Sequence, residues 1–356
     1  MRSLALLVKE LRWSRHELVP LLVVLLLLPA VFAYGTLAFE TVLPTDAPVA
    51  VVPQGPAVTD DDVAITRGAV TAFSDPRTYD SRRAAFDALS RERVYAVVTV
   101  PPDITDTSTR AVFEVYVDGS VVPYHEASKA VVGVMNVYLS RLSDAPIGVE
   151  RHVVGTERSL SEYLVPTFAL VVAMLVALVY LPHVLVVEAE TVFDRLRVDA
   201  SLSAAVGAKL AFFSALALVP VAVFAAFAAA FHYGVDLATP GVVVAYLSTF
   251  VALASVATAV TFLTGFSTWG RVVNVVLLFF VGGFSGLLYP AGFFSPVRRR
   301  VVRAVPTHYA IVAMRGYALR DAPPSFFGTW LVGLVGLAVA SVLGLRVVIA
   351  VYERRC

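Results

Sequence analysis

Six long apolar segments dominate the chain: Leu18–Phe39, Tyr163–Val187, Ala205–Tyr233, Gly241–Gly265, Val272–Tyr289 and Gly328–Ala350. Their lengths, 22, 25, 29, 25, 18 and 23 residues, lie around the about 20 residues that a helix needs to cross a bilayer. Backbone inside hydrocarbon must satisfy its own hydrogen bonds, so such segments have little choice but helix. The composition agrees: 58% of the residues are hydrophobic and 15% charged, against about 25% charged in an ordinary soluble domain. A disordered chain, a nucleic-acid-binding domain and an ordinary soluble enzyme are excluded. The fifth segment is short and glycine-rich (Gly282, Gly283, Gly286), which suits bending or close packing. The third exceeds the bilayer and contains Pro220, so a kink, a tilt or an interfacial first turn is expected.

Charge is divided unevenly. Residues 40–161 hold 11 Lys/Arg and 17 Asp/Glu, whereas the remainder holds 17 and 10. The two parts are expected to face different surroundings. With the N-terminus inside, eleven Lys/Arg flank the spans on the inner side (Arg2, Lys9, Arg12, Arg15, Arg195, Arg197, Lys209, Arg271, Arg346, Arg354, Arg355). Six lie outside (Arg298, Arg299, Arg300, Arg303, Arg315, Arg320). The positive-inside rule therefore favours cytoplasmic termini and an extracytoplasmic 40–161, with the Arg298–Arg303 cluster opposing it. That cluster reads as an interfacial anchor, with recognition of anionic lipid headgroups as the alternative. Charges near span ends, Lys209 and Arg346 among them, are expected to snorkel to the interface.

Residues 1–17 place Leu4, Leu7, Val8 and Leu11 on one helical face, away from Lys9, Arg12 and Arg15, as a helix lying along the inner surface would. The alternative is a secretory signal cleaved after Val31-Phe32-Ala33. The long first span and the even number of spans favour the anchored reading. Within 40–161, Val49–Val52, Val94–Val100 and Ala111–Val117 read as strands, the last stopped by Asp118-Gly119. Thr59–Asp62 reads as a helix start, Ser81 caps a second helix, and a third runs from Tyr124 to Leu142 and leads into the second span. This order predicts a small α/β domain. His125 reads as a surface histidine.

Chemistry is absent in an informative way. There is no G-x-x-x-x-G-K-[ST], and none of the three lysines (Lys9, Lys129, Lys209) follows a glycine, so no P-loop holds ATP. There is no H-E-x-x-H and no G-x-S-x-G; the single cysteine, Cys356, excludes intrachain disulfides and cysteine-rich metal sites. No catalytic residue and no metal site is assigned.

Two constellations point to a family. Glu188-Ala189-Glu190-Thr191, then Asp194-Arg195-Leu196-Arg197 and Gly207-Ala208-Lys209-Leu210, follow the second span. Phe284-Ser285-Gly286, Tyr289-Pro290, Pro306-Thr307-His308-Tyr309 and Met314-Arg315-Gly316 follow the fifth. In this order they resemble the membrane subunits of ABC-2 type exporters. Pro101-Pro102-Asp103 and Tyr116-Val117-Asp118-Gly119 look like signatures of the subgroup with a large insert after its first span. The resemblance covers essentially the whole chain, with Ala189 preceding Glu190-Thr191 and Ala208 inserted between Gly207 and Lys209 as departures.

The resemblance implies an all-α polytopic membrane domain of six transmembrane helices, type V exporter-like, with an extracytoplasmic α/β domain between helices 1 and 2. The implied segments are an interfacial helix 1–17, a first span 18–39, the domain 40–161 and a five-helix domain 162–356. The last holds a coupling loop 188–204 and an outer re-entrant segment 290–327. The implied function is that of a permease in the cell membrane, dimeric with itself or a paralogue and driven by a separate ATP-binding-cassette subunit that binds ATP and Mg. No nucleic acid is involved. Glu188, Glu190, Asp194, Arg195 and Arg197 would couple to that ATPase, and Lys9, Arg12 and Arg15 would mark the interfacial helix. Ser285, Gly286, Pro290, Pro306, Tyr309 and Arg315 would belong to the outer re-entrant region, and Asn274 and Ser285 would line the pathway between subunits. The nearly uncharged spans lean towards a hydrophobic or lipid-like cargo. The alternative is a non-transporting receptor or scaffold that binds a partner through its outer domain.

Overall fold

A computed structural model describes residues 6, 8–10, 12, 14–15, 25–26, 47–71, 74–104, 108, 110–142, 147–189, 201–288, 290–294 and 296–355. In chain order the elements are β1 (Pro48–Pro53), α1 (Asp60–Thr71), β2 (Asp75–Thr78), α2 (Arg82–Ser90), β3 (Ala96–Val100), β4 (Ala111–Asp118), α3 (His125–Leu142) and β5 (Ile147–Val154). There follow α4 (Leu160–Leu175), a π-helical turn (Val176–Tyr180), α5 (Leu181–Ala189), α6 (Leu202–Leu216), α7 (Leu218–Ala230), α8 (Pro240–Leu263), α9 (Thr268–Phe284), α10 (Pro296–Ala304), α11 (Pro306–Leu319) and α12 (Gly328–Arg355). The chain divides into two compact units. One comprises Met1–Thr36, Leu164–Leu287 and Val305–Cys356; the other comprises Leu37–Tyr163 and Leu288–Ala304. The segment expected as one outer stretch, 290–327, is thus shared between them.

The second unit is built on a five-stranded mixed sheet of order β2-β1-β3-β4-β5. β1 is parallel to β2 and β3, β3 is antiparallel to β4, and β4 is parallel to β5. β1 and β3 are apolar but for Thr99 and almost wholly buried because both faces are covered, whereas β4 alternates buried and half-buried residues. Val49, Val51, Val98, Phe113 and Val115 pack with Ala69 and Val70 of α1 and Met135 of α3, while Ala50, Val52 and Val97 pack with Ala85 and Leu89 of α2. Alternation along each strand sends neighbours to opposite faces.

Local signals place the helices. Thr59 and Asp62 form a reciprocal cap on α1: the Thr59 amide and hydroxyl donate to Asp62 Oδ2 at 2.9 and 2.7 Å, and the Asp62 amide donates to Thr59 Oγ1 at 3.2 Å. Although burial opposes it, these hydrogen bonds hold the Asp62 carboxyl below its ordinary pKa. Ser81 caps α2 through the Ala84 amide. Two strands went unseen in the sequence. β2 is four residues of Asp-Pro-Arg-Thr with no apolar pattern, and β5 intervenes where α3 was expected to run into the second span. His125 is half-buried, and burial lowers its pKa, so it is no ordinary surface histidine.

In the first unit, four stretches among the described residues are long and apolar enough to cross a membrane: Leu160–Ala189, Leu202–Ala230, Pro240–Leu263 and Gly328–Arg354. α9 is a shorter apolar helix. The expected first span lies outside the described residues except for Leu25 and Leu26. The stretch Leu202–Ala230 is interrupted at Ala217, three residues before Pro220, whose missing N–H cannot serve the preceding turn. The Tyr246 hydroxyl of α8 donates to the Ala217 carbonyl there, at 2.8 Å. α8 is the centre of this unit and packs against α11 and α12.

Candidate functional site

Among the described residues, the strongest concentration of buried charge lies where three elements of the first unit meet. Glu10 comes from the N-terminal helical stretch, Glu188 from the last turn of α5 and Lys209 from the second turn of α6. Lys209 Nζ lies 2.7 Å from Glu10 Oε2 and 3.0 Å from Glu188 Oε1. Lys9 Nζ closes the ring at 2.9 Å from Glu10 Oε1 and 3.3 Å from Glu188 Oε1. Two cations and two anions alternate, so the group is neutral. The side chains of Glu188, Glu10 and Lys209 are 1%, 3% and 3% exposed. In low dielectric each ion is held by its neighbours, since a single one left unpaired there is costly. The Lys209 ammonium also lies over the Phe213 ring, with Nζ 5.8 Å from its centroid.

This arrangement changes the reading of three residues. Lys209 does not snorkel; it is enclosed and paired twice. Glu188 turns inward to two lysines of its own chain. Glu10, unremarked in the sequence, is the partner that ties Lys209 to the N-terminal stretch. Its signal was present only as a carboxylate amid the basic residues Lys9, Arg12 and Arg15. Arg12 and Arg15 are exposed. Glu190, Asp194, Arg195 and Arg197 lie outside the described residues.

A second cluster closes the C-terminal end of α9. The helix ends at Phe284, Ser285 is its cap, and Gly286 takes φ +70°, the left-handed conformation that ends helices at little cost only in glycine. Arg315 of α11 is fully buried and donates from Nη1 to the Gly286 carbonyl at 3.5 Å and from Nη2 to the Leu287 carbonyl. Nη2 also donates to Thr167 Oγ1 of α4 at 2.8 Å, and Thr167 in turn donates to the Leu287 carbonyl at 3.1 Å. A guanidinium at the negative end of the α9 dipole is favourable, and its planar fork serves two carbonyls and a hydroxyl at once. The Ser285 hydroxyl bonds the Val281 carbonyl and the Thr307 hydroxyl. Ser285, Gly286 and Arg315 therefore come together as a clasp joining α9, α4 and α11. Pro306 opens α11 at its first turn, and Tyr309 lies edge-on to Trp330 at 5.0 Å. Pro290 belongs to the other unit.

Asn274 is buried and donates to the Ala257 carbonyl at 3.2 Å and to Thr261 Oγ1 at 3.4 Å, both on α8. It acts as polar glue between α9 and α8. The opposite face of α9, with Trp269, Val272, Val276, Phe279 and Phe280, is exposed and apolar. A cavity of about 210 Å³ lies among α8, α9, α11 and α12, lined by Thr249, Ala252, Val281, Thr307, Leu334 and Leu337 among others, and carries no ionisable side chain. Among the described residues, no group of three or more His, Cys, Asp or Glu could hold a metal ion.

A family model described as ABC-2 family transporter protein matches residues 18–346. No curated protein and no solved structure matches the chain.

Proposed function

The chain belongs to the ABC-2 family of transporter proteins, and on that premise we propose that it is the permease subunit of an ATP-driven exporter. In this reading six helices span the cell membrane, both termini are cytoplasmic and the sheet-bearing unit is extracytoplasmic. Two permease subunits form the pathway, and ATP and Mg are bound by a separate ATP-binding-cassette subunit. The family match carries the reading. Two features support it. The sequence given holds no P-loop, which fits an ATP-binding subunit that supplies the energy. The Lys9–Glu10–Glu188–Lys209 ring joins the N-terminal stretch to α5 and α6 as one piece, so a push delivered on either side of it is passed to both membrane helices. Coupling then runs through the rigidity of this ring, with Glu190, Asp194, Arg195 and Arg197 as the groups that would meet the ATPase. The charge-free lining of the cavity among α8, α9, α11 and α12 favours an apolar cargo.

Affinity purification of the tagged chain from its native membrane tests the reading. A P-loop ATPase chain is expected in stoichiometric amount, with hydrolysis that the permease alone does not catalyse. Recovery of an intact oligomer without any such chain would favour the receptor or scaffold alternative.

A further inference from the structure

Helix α12 carries one charged side chain inside its apolar run, Arg346, seven positions before Glu353. Arg346 is exposed, and among the described residues no hydrogen bond, ion pair or ring contact engages it. A cation on an apolar helix with no protein partner is costly and calls for a partner from outside the chain. It stands where two apolar hollows of the first unit meet. One is an open groove of about 440 Å³ between α8 and α12, walled by Leu247 and Val251 on one side and by Val335, Ala338, Val339 and Val342 on the other. The second is a crevice of about 260 Å³ among α6, α8 and α12, where the small residues Gly207 and Ala211 leave room. A Cβ at Gly207 would meet nothing within 4 Å. Val251, Val342 and Arg346 line both hollows, and Arg346 is the only ionisable side chain in either wall. The Ser214 hydroxyl, in the crevice wall, is turned back on the Leu210 carbonyl of its own helix at 2.7 Å. Along α12 the groove runs eleven positions from Val335 to Arg346, or about 16 Å of helix. That length is close to one leaflet of a hydrocarbon core about 30 Å thick.

We propose that this face of α6, α8 and α12 binds one anionic phospholipid, with its phosphate on Arg346 and its acyl chains in the groove and the crevice. Complementarity selects the occupant. An apolar wall of leaflet length suits an acyl chain, and a single unopposed cation at its end suits an anion. The guanidinium fork matches two phosphate oxygens in geometry and charge. A zwitterionic lipid brings a cation of its own beside Arg346 and so loses part of that attraction. A soluble phosphate compound leaves the apolar walls unfilled and forgoes the stabilisation of covering them. The inference rests on the apolar helices and not on the permease reading.

The test titrates the full-length chain in uncharged detergent with phosphatidylglycerol, or with phosphatidylcholine of the same acyl chains, and follows its thermal transition. Phosphatidylglycerol is expected to raise the transition saturably and at about fivefold lower concentration than phosphatidylcholine, the discrimination that one basic residue supplies at a membrane surface. Glycerol phosphate, a headgroup without chains, should leave the transition unchanged at constant ionic strength. Arg346→Gln should bring the two lipid curves together, whereas Arg346→Lys should keep them apart. Gly207→Leu, which projects into the crevice, should weaken the response to both lipids alike. If Arg346→Gln fails to fold, native mass spectrometry still decides: the parent should retain phosphatidylglycerol in preference to phosphatidylcholine, and the Gly207→Leu protein should release it. Four results overturn the proposal: no saturable response, an equal response of the parent to the two lipids, a preference that survives Arg346→Gln, or a shift with glycerol phosphate as large as that with phosphatidylglycerol.

Discussion

Lys209 shows how much a single residue's role depends on what meets it in space. In the sequence it is one cation near the start of an apolar run, and such a cation ordinarily extends to the interface. In the fold it is the hub of a neutral ring, held at 2.7 and 3.0 Å by two carboxylates that lie 199 and 21 positions away along the chain. Removing it leaves Glu10 and Glu188 buried and sharing only the partly exposed Lys9. Breaking a buried ion pair by deleting one partner costs about 3–5 kcal/mol. Lys209→Met is therefore expected to lower the thermal stability of the purified protein strongly or to abolish its accumulation in the membrane. The combined change Glu10→Gln/Lys209→Met leaves Lys9 paired with Glu188 in a neutral group and should recover most of the loss. A Lys209→Met protein as stable as the parent would show that the ring contributes little. Glu188 was legible in the sequence as a charged residue at a helix end. That it faces inward was not, because Glu10 and Lys209 reach it only through packing.

Elements were legible where their pattern was local. β1, β3, β4, α1, α2 and α3 fall where apolar runs, caps and turn pairs place them, and Ser81 caps α2 as read. β2 and β5 were missed for one physical reason. Both are outer strands of the sheet, only partly buried, so they lack the apolar signature that burial imposes on β1 and β3. The end of α9 was legible as a motif, Ser285-Gly286, but not as a mechanism, since Arg315 and Thr167 arrive from distant helices. Gly286 at φ +70° yields a direct expectation. An alanine there must hold a left-handed backbone, at a cost of roughly 1–2 kcal/mol. It also shifts the two carbonyls on which the Arg315 fork rests. Gly286→Ala should lower the melting temperature more than alanine at Gly283, which lies within the helix and has open space around its Cβ position. Equal effects at the two positions would rule out the left-handed cap as the cause.

At the scale of the whole molecule, the distribution of Lys and Arg favours one orientation, and that orientation can be measured. The segment 40–161 is acidic, the short flanks assigned to the inside carry eleven Lys/Arg, and those assigned to the outside carry six. Four of the outer six belong to α10, and at least two of these, Arg299 and Arg303, turn inward within their own unit. Asp61 is a suitable reporter: it is exposed on the first turn of α1, while the reciprocal cap depends on Thr59 and Asp62 and not on it. Its replacement forfeits only a helix-dipole contribution of about 0.3–1 kcal/mol, small against the stability of a domain. Asp61→Cys in a Cys356→Ser background should react with a membrane-impermeant thiol reagent in intact cells. The native Cys356, the sole cysteine of the parent chain, should react only after permeabilisation. If Cys356 reacts in intact cells and the Asp61→Cys thiol does not, the orientation is inverted. The sheet-bearing unit would then face the cytoplasm, and the coupling role proposed for the Glu188 end of α5 would have to be given up.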